Sequence, residues 1–79
     1  MDRYIVEIMP AANWYAIYRS QDEIESFSPL VGWALYDSND SRQLAGLVAD
    51  RTDKVVFCDE HPNFVGYRYW AGLPEDLVR

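Results

Sequence analysis

The sequence predicts an all-β fold, a strongly bent antiparallel sheet of five or six strands or a small barrel, with at most one short helix. Short runs rich in β-branched and aromatic residues alternate with polar connections of a few residues, the spacing of an antiparallel meander. All four glycines lie between a small aliphatic and a large apolar residue: Val31-Gly32-Trp33, Ala45-Gly46-Leu47, Val65-Gly66-Tyr67 and Ala71-Gly72-Leu73. Three of them fall inside strand-like runs. Glycine there marks a bulge, a sharp bend, or a place where a neighbouring ring or backbone comes close. The one segment with a helix-start signal has only Ile24 and Phe27 as apolar anchors, too few for an amphipathic helix.

Taken in order, residues 4–9 form a first strand, with Tyr4, Val6 and Ile8 on one face, and residues 14–19 a second. The break at residues 10–13 suggests that the two pair as a hairpin. Residues 20–26 are acidic, and Ser20 with Glu23 fits a capping box, which predicts a single helical turn or an ordered loop. Pro29 leads into the most apolar run, residues 30–36, which stops at the turn-forming cluster Asp37-Ser38-Asn39-Asp40. A strand at 42–49, a turn at Asp50-Arg51-Thr52-Asp53, a short strand at 54–58, a loop at Asp59-Glu60-His61-Pro62 and a last strand at 63–70 follow. After Pro74, residues 73–79 are expected to form at most one frayed helical turn.

Seventy-nine residues are expected to make a single domain over 1–79, near the lower size at which burial of one core suffices. Apolar residues are 49% and aromatics 15%, a globular composition. Thirteen acids against seven bases give a formal charge of −6, which repels phosphate backbones and anionic lipid. Direct nucleic-acid or membrane binding is therefore not expected. The single cysteine, Cys58, excludes an intramolecular disulfide framework, and the opening residues lack the pattern of a signal peptide, so the expected location is the cytoplasm.

The central strands are apolar on both faces, and twelve aromatic side chains exceed what one β layer of this size encloses. Tyr and Trp suit contact surfaces because they offer large rigid area with a polar handle. Trp14, Tyr15, Tyr67 and Trp70, aromatic residues of terminal strands, are the candidate contact residues, with Arg68 as a charged anchor. Strand alternation puts Trp14 and Tyr18 on one face and Tyr15 on the other, and Tyr67 and Tyr69 on the face opposite Arg68 and Trp70.

The acids sit at element ends, and turn alternation in a meander gathers Asp22, Glu23 and Glu25 with Asp50, Asp53, Glu75 and Asp76 at one end of the sheet. Asp22, Glu23 and Glu25 are the candidate acidic contact. Cys58-Asp59-Glu60-His61 brings a thiol and the only imidazole close in sequence. No second Cys or His completes a zinc site, and acidic neighbours raise a thiol pKa, the wrong direction for a nucleophile. No cofactor, metal or catalytic residue is predicted.

Ala34-Leu35-Tyr36-Asp37 resembles the opening motif of SH3 domains, and Gly72-Leu73-Pro74 their closing segment. Too few residues separate the two for that family's intervening strands, so the resemblance implies a shape only, an SH3-like small barrel. The expected function is a non-enzymatic protein-binding module acting through an aromatic sheet face on a protein partner or, as a homodimer, on itself. The alternative is a small acidic inhibitor of phage or mobile-element type, a nucleic-acid mimic that blocks a basic site on a host protein. A ligand or thiol site at Cys58-His61 is a third, minor one.

Overall fold

In the computed structural model, which describes residues 3–71, the chain forms seven strands and one 3-10 turn. They are β1 (Tyr4–Met9), β2 (Trp14–Arg19), β3 (Glu25–Pro29), β4 (Gly32–Ser38), β5 (Ser41–Ala49), β6 (Val55–Phe57), the turn Cys58–Glu60, and β7 (Phe64–Tyr69). All pairings are antiparallel, and the strands divide into a four-stranded sheet, β1-β4-β5-β6, and a three-stranded sheet, β3-β2-β7. The fold is all-β as expected, and the two sheets do not close into a barrel. The helical turn considered after Pro74 lies outside the described residues.

Two local expectations are corrected. A bulge at Val6 puts Ile8 on the face of Ile5 and not on that of Tyr4, so Tyr4, Val6 and Ile8 do not share one face. β1 and β2 do not pair as a hairpin: β1 pairs with β4 in one sheet, and β2 sits between β3 and β7 in the other. The connection that leaves β1 at Pro10 is a corner, with Ala11 buried in the core as the pivot. A four-residue break has the length of either a hairpin loop or a corner, and burial of Ala11 decides. Of the helical turn or ordered loop expected over residues 20–26, the loop is found, and it ends where β3 begins at Glu25. Ser20 N–H donates to the Ile24 carbonyl at 3.0 Å, Glu23 N–H to the Ser20 carbonyl at 2.9 Å, and Ile24 N–H to the Ser20 hydroxyl at 3.2 Å. The hydroxyl that would cap a helix instead closes a hairpin, and β3 follows as a seventh strand.

The turns show why short polar residues end these strands. Glu23 and Asp53 both have φ of 61°, at equivalent places in the β2–β3 and β5–β6 hairpins, a left-handed position that favours glycine. In the second hairpin the Asp50 carboxylate accepts from Thr52 N–H at 2.8 Å, Thr52 Oγ1 at 2.7 Å and Lys54 N–H at 3.0 Å. Asn39 and Asp40, with φ of 51° and 64°, form the two-residue β4–β5 turn that matches sheet twist.

The core lies between the sheets. Ala11, Ala16, Leu30, Val48 and Cys58 are buried there, with Trp14, Tyr18, Trp33, Val56, Phe64 and Tyr67 packed around them. On the opposite face of the four-stranded sheet, Ala34, Tyr36, Ala45 and Leu47 are also buried. Here the Arg3 guanidinium stacks over Tyr36 and Phe57, 4.7 and 4.3 Å from their centroids, and pairs with Asp59 at 2.9 Å. Apolar residues on both faces of β4 and β5 thus have two different environments.

Candidate protein-contact surface

The pairing of the three-stranded sheet determines which side chains share a face, because directly opposed residues point the same way. Tyr15 lies between Pro29 and Arg68, and Ile17 between Phe27 and Gly66. This set points away from the four-stranded sheet, since the alternating set, Trp14, Ala16, Tyr18 and Tyr67, belongs to the core. Trp70 follows Arg68 by one strand repeat and meets Phe27 edge-to-face at 5.9 Å, with the Arg68 guanidinium 5.5 Å from its ring. Tyr15, Ile17, Phe27 and Trp70 are half-buried, and Arg68 is exposed. A Cβ added at Gly66 meets nothing within 4 Å, so the face has a shallow open shelf beside Ile17.

Of the contact residues named from the sequence, the structure therefore brings together Tyr15, Arg68 and Trp70. Trp14 and Tyr67 lie on the other side, inside a continuous row of rings. Tyr69, Trp14, Trp33, Tyr67, Phe64, Tyr18 and His61 follow one another at centroid distances of 4.8 to 6.1 Å. Each edge-to-face pair of this kind contributes about 0.5–1.5 kcal/mol beyond its buried area. Phe27 and Ile17 complete the outer face and were not singled out in the sequence. The sequence holds no signal for this: Glu25-Ser26-Phe27-Ser28-Pro29 alternates like a strand whose one aromatic residue faces inward. The register instead sets Ser26 and Ser28 beside Tyr18 and Ala16 on the core side and turns Phe27 outward.

Tyr67 is fixed more tightly than any residue of the outer face. Its hydroxyl accepts from Gly46 N–H at 2.8 Å and lies 3.5 Å from Cys58 Sγ, which in turn donates to the Gly46 carbonyl at 3.2 Å. Burial pushes the Tyr67 phenol well above its ordinary value, and burial likewise raises Tyr18 to about 12 and raises the Cys58 thiol. Cys58 is therefore a sealed, protonated thiol. His61 makes a separate set of contacts: its Nδ1 accepts from Asn63 N–H at 3.0 Å and its ring meets Tyr18. Among the described residues no group of three or more His, Cys, Asp and Glu side chains can hold a metal ion.

The β2–β3 and β5–β6 turns flank one open groove of about 840 Å³, lined by Ser20, Ile24, Asp50, Arg51, Val56 and Glu60 among others. Of the acids near it, Asp50 and Glu60 line the groove, and Asp22, Glu23 and Asp53 lie on the two turns that flank it. Arg51 and Lys54 stand among them, and Glu25 is engaged by Arg19 at 2.8 Å. Glu75 and Asp76 lie outside the described residues. No helix among the described residues is long and apolar enough to cross a membrane. A scan of protein-family models and searches of curated proteins and of solved structures find no match to this chain.

Proposed function

We propose that this chain is a non-enzymatic protein-binding module whose contact surface is the outer face of the three-stranded sheet. The observation that supports this most is the cluster of Tyr15, Ile17, Phe27 and Trp70, with Arg68 stacked on Trp70, on the side of the sheet opposite the core. Tyr, Trp and Arg are the residues enriched where protein interfaces concentrate their energy, and an edge-to-face ring pair beside an open shelf offers rigid area at little entropic cost.

Two measurements test the reading. Trp70→Ala should remain folded and lose only about 1 kcal/mol, whereas Trp33→Ala, which empties part of the core, should lose about 3–5 kcal/mol. A photoreactive residue at position 15 should then capture the partner, and one at position 39, on the β4–β5 turn, should not. Equal losses for the two tryptophans, or capture from position 39 alone, would reject the outer face.

A second reading, the acidic inhibitor, is supported by the groove that the β2–β3 and β5–β6 turns flank. It predicts steep loss of affinity with added salt and weaker binding when Asp22→Asn, Glu23→Gln and Glu25→Gln are combined. Binding that is indifferent to both disposes of it.

A further inference from the structure

Among the described residues the two sheets present four strand edges, and three of them carry features that discourage pairing with another strand. β6 is three residues long. β3 carries Glu25, two serines and Pro29, and β7 is bulged at Val65 and exposes Arg68. β1 matches β7 in length, with one bulge and one charge, but its apolar edge is larger: Tyr4, Ile5, Val6 and Ile8 are 48–68% exposed, against Val65 and Tyr69 alone on β7. Its protection amounts to Glu7 and a bulge at Val6. A long apolar edge with its outward N–H and C=O groups unpaired is a template for a further strand.

We propose that β1 is a dimerisation edge, on which a second copy of this chain pairs its own β1 antiparallel about a two-fold axis. The four-stranded sheets of the two copies then join into one sheet of eight strands. The occupant is a second copy because β1 complements itself. The bulge brings Ile5, opposite Tyr36, and Ile8, opposite Ala34, to the same face of the sheet; Tyr4, opposite Asp37, and Met9, opposite Trp33, share the other. A two-fold alignment that sets Ile5 against the partner's Ile8 also sets Tyr4 against the partner's Met9. Apolar meets apolar on both faces, and Glu7 meets the partner's Val6 instead of a second carboxylate. The charge near this edge fits the same picture. Arg3 pairs with Asp59 and Asp37 with Arg42, so among the described residues the charge left without an ion pair beside this edge is Glu7, the one charged residue of β1. Such a contact is isologous and closes at two copies.

Sedimentation equilibrium across a range from roughly 1 μM to 1 mM, where a specific contact of moderate strength is populated, tests this directly. The mass should rise from 9.2 kDa toward twice that value and stop there. Ile8→Lys, and separately Ile5→Lys, should hold the mass at the monomer value with an unchanged circular dichroism spectrum. If either substitution unfolds the chain, hydrogen exchange on the wild type decides: β1 amides should slow at high concentration while β6 amides do not. A wild-type chain that stays monomeric at the top of the range overturns the proposal, as does a mass that climbs past two copies or exchange that ignores concentration. Trp70→Ala should leave the dimer intact. Loss of the dimer in that variant would move the self-contact to the outer face of the three-stranded sheet and overturn the β1 assignment.

Discussion

Gly46 and Gly66 occupy the same kind of position, a glycine inside a strand preceded by a small aliphatic residue and followed by a large apolar one, yet their surroundings are opposite. A Cβ at Gly46 would stand 2.7 Å from Tyr67 Cε1 and 3.0 Å from both methyls of Leu30. At Gly66 it would stand in open space. The first glycine is a notch that lets two sheets approach across a ring, and the second is a gap on a surface. Around the notch, rings are locked by hydrogen bonds and by each other; around the gap, Phe27 and Trp70 meet each other, Ile17 and Arg68 on an open face. The contrast separates aromatic residues that build the fold from those offered for contact, a distinction that composition alone does not make.

The largest expected effect falls on the notch. Gly46→Ala forces its methyl group into the Tyr67 ring, and relief requires that ring to abandon both the Gly46 amide and its stacking on Trp33 and Phe64. Overpacking of this kind costs about 3 kcal/mol. Urea denaturation should show a lower midpoint at an unchanged slope; a loss under about 1 kcal/mol would mean that the sheets slide apart freely and that the notch is not a constraint.

Tyr67→Phe keeps the ring and removes the hydroxyl, leaving the Gly46 amide without its partner. The cost should be about 1–3 kcal/mol, the range for an unpaired buried donor. A related effect appears with pH in the unaltered chain. Burial holds the phenols of Tyr18 and Tyr67 neutral when folded, with Tyr18 pushed up to about 12, whereas in the unfolded chain both ionise near pH 10. Their contribution is complete below about pH 10 and is lost as pH rises toward 12 and above. Cys58, whose thiol burial also raises, adds a loss of the same sign from about pH 8.5, where the unfolded thiol ionises. Stability measured by urea should therefore be level only to about pH 8, decline gently to about 10 and more steeply beyond it, and less steeply there in Tyr67→Phe. An equal decline in both would show that Tyr67 does not contribute.

Much of this arrangement was legible in the residues. The bounds of β2, β5 and β7 follow from β-branched and aromatic runs that stop at Asn, Asp and Ser, and the alternation of Trp14, Tyr15 and Tyr18 placed each on its correct face. What could not be read is partnership. Whether residues 10–13 make a hairpin or a corner depends on where Ala11 is buried, and whether Ser20 caps a helix or closes a turn depends on which amide its hydroxyl meets. Both are decided by contacts between sheets distant in sequence. Trp14 and Tyr67 were grouped with Trp70 for the same reason: strand parity gives a face, not which face the second sheet covers.

The smallest expected effect is on the gap, and it bears most directly on the proposed contact surface. Gly66→Ala adds a methyl group where nothing lies within 4 Å, and the Gly66 backbone has no positive φ that would strain an L residue. With no steric cost, the substitution acts mainly by reducing the freedom of the unfolded chain, so it should stabilise by about 0.5 kcal/mol. If the shelf also receives a partner, the same methyl group should weaken capture from position 15 while the melting temperature rises, a separation of binding from stability that no core substitution gives. A Gly66→Ala chain less stable than the wild type by about 1 kcal/mol would instead mean that the position is already covered. The outer face would then belong to the interior, and Tyr15, Phe27 and Trp70 would have to be counted with Trp14 and Tyr67 as rings that hold the fold together.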